Sequence, residues 1–150
     1  MTIRPAREED AEVVTTLAIR SKAVWGYDEQ MMAVFRDELS VDGVTLVEMD
    51  GHVAERDGEI VGFYTLLPRS PEVTELEHLF VTPEALREGV GSALLAHAVQ
   101  RMRDRKVLTM RIISDPNSVG FYERQGALQV GMHDSADIPG RSIPILELAL

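Results

Sequence analysis

Two glycines one residue apart stand just ahead of an apolar helical run in the segment LREGVGSALL, residues 86–95. Glycine lets the backbone approach a ligand where a Cβ atom would clash, which suits Gly89 and Gly91 to an anion. The N-terminus of the helix that follows presents unpaired N–H groups and about half a positive charge. The segment therefore predicts a phosphate site that needs no basic side chain. A glycine turn that only redirects the chain would have the same pattern.

Two common phosphate-binding motifs do not fit this segment. A P-loop requires Lys and then Ser or Thr after its second glycine, whereas Gly91 is followed by Ser92 and Ala93. The dinucleotide fingerprint G-x-G-x-x-G requires glycine at position 94, where the sequence has Leu94. If the turn binds a phosphate, the ligand belongs to another class of cofactor.

The composition predicts a single soluble domain. The chain has 150 residues, of which 45% are hydrophobic and 27% are charged, as in ordinary globular domains with one core. Its apolar runs are shorter than a membrane-spanning helix needs. The N-terminal segment turns acidic at once and lacks the apolar core of an export signal. We therefore expect a cytoplasmic protein with no membrane partner.

The charge and the residue types exclude several classes of site. A formal net charge of -10 argues against a nucleic-acid partner, because phosphate backbones are bound by an excess of Lys and Arg. Acidity favours cationic partners such as amines, or it serves solubility alone. The absence of cysteine excludes disulfides, thiolate metal sites and a cysteine nucleophile. The four histidines show no ligand spacing, so we expect no metal.

The hydrophobic pattern predicts one strand, two helices, three strands, a helix, a strand, a helix and two strands. Asp28 is placed to cap the second helix. Asp57-Gly58 suits the positive φ angles of a two-residue hairpin. Pro116 and Gly126 mark the start and the end of the last helix. We expect a mixed α/β domain whose central sheet has about seven strands, with about four helices around it.

The segments LEHLFVTPEALREGVGSALL and DPNSVGFYERQGA resemble two motifs of the GNAT (Gcn5-related N-acetyltransferase) family. The first is similar to the family's strand–turn–helix motif Q/R-x-x-G-x-G/A, and the second to its helix with Asn, then Phe-Tyr, then Gly. The resemblance implies a single GNAT-like domain over residues 1–150, a sheet splayed between the fourth and fifth strands, and acetyl-CoA as the cofactor. The family's Gln/Arg position falls on Leu86, so a phosphate contact there would come from the backbone or from Arg87.

The resemblance also implies where the cofactor binds. The strand before the glycine turn would pair with the pantetheine, and its backbone would supply an oxyanion donor. Asn117 could bind the cofactor or the substrate through a hydrogen bond, or it could cap the short helix. We favour a cap with a cofactor contact added. The implied cofactor-binding residues are Leu79, Phe80, Val81, Leu86, Arg87, Glu88, Gly89, Val90, Gly91, Ser92, Asn117 and Tyr122.

Acetyl transfer to an amine requires a base, an oxyanion donor and a proton for the leaving thiolate. The family's Tyr falls on Tyr122, whose phenol can donate one proton; an aromatic packed beside Phe121 is the alternative. Glu75 and Glu77 share one strand face, about 6.6 Å apart along it. Either could take the amine's proton through a water, or serve solubility only. His78 points to the opposite face, so we expect it to be structural.

Substrate specificity is expected in the loop between the first two helices and in the last hairpin. Trp25, Tyr27 and Arg141 are the predicted lining residues, although a lone Trp is also a common core anchor. The predicted activity is direct acetylation of a primary amine, on a small molecule or a peptide, with a homodimer left open. Two other hypotheses are a catalytically idle acyl-CoA-binding module and an acetyltransferase of protein N-termini or lysines.

Overall fold

The computed structural model describes all 150 residues and confirms the mixed α/β class. Seven strands form one sheet in the order β1-β2-β3-β4-β5-β7-β6, accompanied by five α-helices and three single turns of 3-10 helix. The strands are β1 (Thr2–Pro5), β2 (His52–Arg56), β3 (Glu59–Pro68), β4 (Val73–Val81), β5 (Thr109–Ile113), β6 (Leu128–Asp134) and β7 (Ser142–Ala149). The helices are α1 (Ala11–Ala23), α2 (Glu29–Leu39), α3 (Gly43–Glu48), α4 (Val90–Asp104) and α5 (Val119–Arg124).

The chain divides into two compact units, which are described separately. Unit 1 comprises Met1–Leu66 and His78–Ala98, and unit 2 comprises Leu67–Glu77 and Val99–Leu150. None of the helices has both the length and the apolar composition that a bilayer crossing requires.

Unit 1 is built on the antiparallel strands β1, β2 and β3. The predicted hairpin joins β2 to β3, with φ angles of 54° at Asp57 and 80° at Gly58. The predicted Asp28 cap is also present, since its side chain accepts a hydrogen bond from the Met31 amide at 2.8 Å. The core of this unit includes Val14, Leu17, Ala18, Leu46, Val53 and Phe63.

Helix α3 is the element that the sequence pattern did not predict, and it brings the helices to five. Asp42 caps it by accepting from the Thr45 amide at 2.8 Å, and Leu46 is completely buried. A Cβ atom at Gly43 would lie 2.7 Å from the Glu8 carbonyl oxygen, so the helix depends on a close contact with a distant segment. Six residues are too few for hydrophobic periodicity to identify a helix.

Unit 2 contains the parallel part of the sheet. Val73–Leu76 of β4 pairs with Thr109–Ile112 of β5, and β5 pairs antiparallel with β7, which pairs with β6. The pairing with β5 ends at Leu76, whereas β4 continues to Val81. Strand β4 therefore extends beyond the segment that pairs with β5, at the position where the splay was predicted.

Candidate active site

The glycine turn follows β4 in unit 1 and takes a left-handed backbone at two positions. The φ angles are 63° at Arg87 and 83° at Gly89. No atom lies within 4 Å of a Cβ built on Gly89, so the backbone conformation, and not crowding, requires glycine there. For a residue with a side chain the left-handed region costs about 1–2 kcal/mol. Arg87 bears this strain in the turn itself.

The turn ends at the N-terminus of α4, a helix of 15 residues. Its first backbone bond runs from the Ala93 amide to the Gly89 carbonyl at 3.0 Å. The amides of Val90 and Gly91 therefore precede the helical ladder, at the end that carries partial positive charge. This arrangement fits a phosphate group.

Ion pairs that the sequence did not predict surround the turn. Arg56 of β2 donates from Nη1 to Glu88 Oε2 at 2.7 Å, which offsets the negative charge that Glu88 brings into the turn. Arg20 of α1 pairs with Glu84 and lowers the pKa of that carboxyl to about 2. No local sequence signal could have found these pairs, because their members lie far apart in the chain.

The end of β4 belongs to unit 1 and is half-buried. Leu79, Phe80 and Val81 follow His78 there. The His78 ring bonds through Nδ1 to Thr65 Oγ1 at 2.7 Å, and burial lowers the pKa of His78 to about 4. His78 is therefore neutral at physiological pH and packed in the fold, which supports the structural role expected for it.

In unit 2 the two glutamates of β4 have different environments. Glu75 is buried, and its Oε2 accepts a hydrogen bond from Arg69 Nε at 2.8 Å. Glu77 is exposed as a residue, yet its carboxyl is partly withdrawn from water. This burial, followed by the charge and the hydrogen bond of Glu75, raises the pKa of Glu77. A raised pKa suits a general base, and that role for Glu77 stays a prediction.

Tyr122 lies in α5, also in unit 2, and is only 7% exposed. Burial, followed by the nearby charge of Asp115, raises the pKa of Tyr122 above its ordinary value. Its ring packs edge-on against Phe121, with centroids 5.1 Å apart. The residue is thus a packed aromatic and also a phenol that keeps its proton, so the structure is compatible with both interpretations.

The preferred capping role of Asn117 is wrong. Asp115 Oδ1 accepts from the Asn117 amide at 2.8 Å and from its Nδ2 at 2.9 Å, so Asp115 is the cap and Asn117 is the donor. The physical reason is Pro116, which occupies the first helical position and has no N–H group. The first amide that needs an acceptor is then that of Asn117. A contact between Asn117 and the cofactor remains a prediction.

The predicted substrate-lining residues have different degrees of exposure. Trp25, in unit 1, is 46% exposed and is therefore not a core anchor. Tyr27 packs edge-on against Phe35, with centroids 4.9 Å apart. Arg141, in unit 2, is mostly buried and its Nη2 lies 3.9 Å from Asp115 Oδ2. Trp25 thus retains the exposure that contact with a substrate requires, whereas Arg141 forms an ion pair with Asp115, the residue that caps the short helix.

Similar proteins are N-acetyltransferases. The chain is 29% identical over 133 residues to a 5-NmdU N-acetyltransferase of Pseudomonas phage PaMx11, covering 87% of this chain and 89% of that protein. It is 29% identical over 125 residues to the peptidyl-lysine N-acetyltransferase YiaC of Escherichia coli K12, covering 83% of this chain and 81% of that protein.

The fold is shared with solved structures. The PaiA N-acetyltransferase of Thermoplasma acidophilum, in complex with coenzyme A, superposes with a TM-score of 0.78 at 22% identity over the full length of both chains. The sequence profile of the acetyltransferase (GNAT) family matches residues 12–127, which include the glycine turn, both glutamates and Tyr122. The chain therefore belongs to the acetyltransferase (GNAT) family.

Proposed function

We propose that this N-acetyltransferase, with residues 1–150 as its catalytic domain, moves an acetyl group from acetyl-CoA to a primary amine by direct attack. Glu77 accepts a proton from the ammonium group through a water. The amine nitrogen then bonds to the thioester carbonyl carbon, the carbon–sulfur bond breaks, and Tyr122 gives its proton to the departing thiolate. The second proton that the nitrogen releases as the amide forms restores the phenol of Tyr122. The observation that carries the proposal is the glycine turn, whose left-handed backbone at Gly89 leads into the N-terminus of α4, in a chain that matches the acetyltransferase (GNAT) family.

Two features of unit 1 support coenzyme A as the ligand. The amides at the start of α4 suit the pyrophosphate, and the half-buried backbone of Leu79–Val81 suits the pantetheine and the oxyanion. The thioester supplies an activated acetyl group, while these residues hold and orient it. A relative by fold, PaiA, is described with coenzyme A bound, which supports the same ligand here.

The presence of Glu77 and Tyr122 favours an enzyme over a module that only binds acyl-CoA, because such a module needs neither a base nor an acid. The test is release of free CoA from acetyl-CoA in the presence of a panel of amines and of a lysine-containing peptide. We expect at least one acceptor to release CoA in proportion to acetylated product. Binding of CoA in a thermal shift assay without release by any acceptor would favour the idle module.

Replacing Gly91 by Val should weaken CoA binding by about ten- to a hundredfold, because the branched side chain would keep the pyrophosphate from one or more charge-assisted hydrogen bonds. Calorimetric titration with CoA measures the affinity. Ala96→Val is the matched control, since Ala96 is an exposed position of the same helix and its substitution tests the helical cost of valine alone. Affinity like the wild type in Gly91→Val would contradict the phosphate assignment.

Replacing Arg87 by Ala should weaken CoA binding less than tenfold, because an exposed ion pair contributes about 0–1 kcal/mol. Arg87→Gly removes the same charge but accepts the left-handed backbone, so it should unfold at a higher temperature than Arg87→Ala. Titration with CoA and thermal unfolding of both variants check these expectations. A loss well beyond tenfold in both variants would show that Arg87 is a principal phosphate ligand.

A further inference from the structure

The sheet face that carries the proposed base also carries an arginine. Arg111 of β5 lies opposite Glu75 in the parallel pairing with β4, and opposite Glu147 in the antiparallel pairing with β7. Cross-strand partners project from the same face of a sheet. The neighbours of Arg111 along the strand, Met110 and Ile112, are completely buried on the other face. Arg111 and the two glutamates of β4 therefore share one face of unit 2.

The Nε atom of Arg111 is buried and has no hydrogen-bond partner. Glu75, on one side, is already bound by Arg69 at 2.8 Å, and Glu147, on the other side, is exposed to solvent. Buried polar groups are nearly always hydrogen-bonded, so an exception calls for an explanation such as a ligand. A guanidinium is a fork of donors that matches the two oxygens of a carboxylate.

The charges on this face are arranged for a molecule with both signs. Arg69 and Glu75 neutralise each other, which leaves Glu77 as the anion of β4 and Arg111 as the cation of β5. Glu77 follows the register partner of Arg111 by two residues and lies just beyond the last pair, Leu76 with Ile112. Ideal strand spacing, one strand across and two residues along, separates the two Cα atoms by about 8 Å or more. Both side chains are long enough to meet opposite ends of one small molecule across that distance.

Resting on the proposed function, we propose that Arg111 binds a carboxylate of the acceptor, so that the acceptor is a small amino carboxylate whose ammonium group faces Glu77. A carboxylate that enters from this face gives Arg111 Nε the acceptor that the chain itself does not provide. The proton and the acetyl group follow the route already described, and the carboxylate stays ionised throughout. Arg111 is thus a specificity-determining residue.

The test compares acceptors in matched pairs, glycine with glycinamide and 4-aminobutyrate with its amide. We expect the wild type to prefer the carboxylate of at least one pair by about ten- to a hundredfold in kcat/KM, mainly through KM. In Arg111→Met, which keeps the aliphatic stem, that preference should fall to near one. Comparing the preference between wild type and variant cancels the different basicities of the two amines.

Two further variants keep the test decisive. Arg111→Lys retains the charge but lacks the forked donors of the guanidinium, so it should show an intermediate preference for the carboxylate. This variant keeps the test valid if Arg111→Met folds poorly, and thermal unfolding measures the stability of both. Arg103→Met, on the exposed surface of α4, is the matched control and should leave the preference unchanged. A preference that survives both Arg111 substitutions would overturn the assignment.

The outcomes separate this inference from the proposed function. CoA released equally well with both members of every pair would overturn the inference and leave the acetyltransferase intact. A lysine peptide with a blocked C-terminus that outperforms all four small acceptors would also overturn it, in favour of a macromolecular acceptor. No release of CoA with any acceptor would overturn the proposed function, and the inference with it.

Discussion

Tyr122→Phe should lower kcat by about 10²–10⁴-fold, the range typical of general acid catalysis. The substitution deletes the hydroxyl group and keeps the ring, so the contact with Phe121 is retained and CoA affinity should change little. Because the pKa of Tyr122 is raised, any basic limb that it causes in the pH–rate profile lies above about pH 10. Steady-state kinetics with the best acceptor of the amine panel measures the effect.

Tyr64→Phe is the matched control for the loss of a buried hydroxyl. The Tyr64 hydroxyl bonds to His97 Nδ1 at 2.8 Å in unit 1. Its removal should therefore lower the unfolding temperature and leave kcat almost unchanged. Tyr122→Phe should show the opposite pattern, with its stability roughly held. Turnover at the wild-type rate in Tyr122→Phe would identify the residue as a core aromatic, and the thiolate would have another proton donor.

Glu77→Gln should lower kcat/KM at neutral pH by about 10²–10⁴-fold, because the amide cannot accept the proton of the ammonium group. In the wild type the rate should fall as the pH falls through the pKa of Glu77, which lies above the ordinary value of about 4.3. The variant should lack this acidic limb and recover activity only as free amine accumulates at high pH. A pH–rate profile of both proteins measures the difference, and wild-type rates in the variant would exclude Glu77 as the base.

Glu77→Gln should also change the stability of the folded protein, and the raised pKa of Glu77 fixes the direction of the change. A pKa raised on folding favours the protonated carboxyl, so its contribution to stability is present at low pH and is lost as the pH rises through the folded-state pKa. Gln resembles the protonated form. Glu77→Gln should therefore unfold at an equal or higher temperature than the wild type at neutral pH, and the difference should shrink on acidification.

Glu75→Gln is the matched control for Glu77. It removes the charge that helps to raise the pKa of Glu77, so the acidic limb of the pH–rate profile should move to lower pH without disappearing. It also removes the partner of Arg69 and should lower the unfolding temperature. A complete loss of the limb in Glu75→Gln would transfer the role of base from Glu77 to Glu75.

The sequence by itself determined the features that depend on a few adjacent residues. Asp57-Gly58 adopts positive φ angles because its two residue types tolerate them, and Asp28 caps its helix through a bond to a residue three positions away. The succession of strands and helices along the chain follows from the hydrophobic periodicity, and the glycine turn follows from the backbone freedom of glycine. These preferences act within one or two turns of the chain, so they can be predicted without knowing the neighbours in space.

The tertiary structure alone decided the features that depend on distant neighbours. Helix α3 forms where Gly43 closes on Glu8. Glu75 and Glu77 share one strand face in the sequence pattern, but Arg69 and burial give them different environments. The orphaned Nε of Arg111 exists because the strand register surrounds it with groups that are already engaged or exposed. Burial and charge are sums over neighbours in space, and those neighbours are fixed only when the strands have paired.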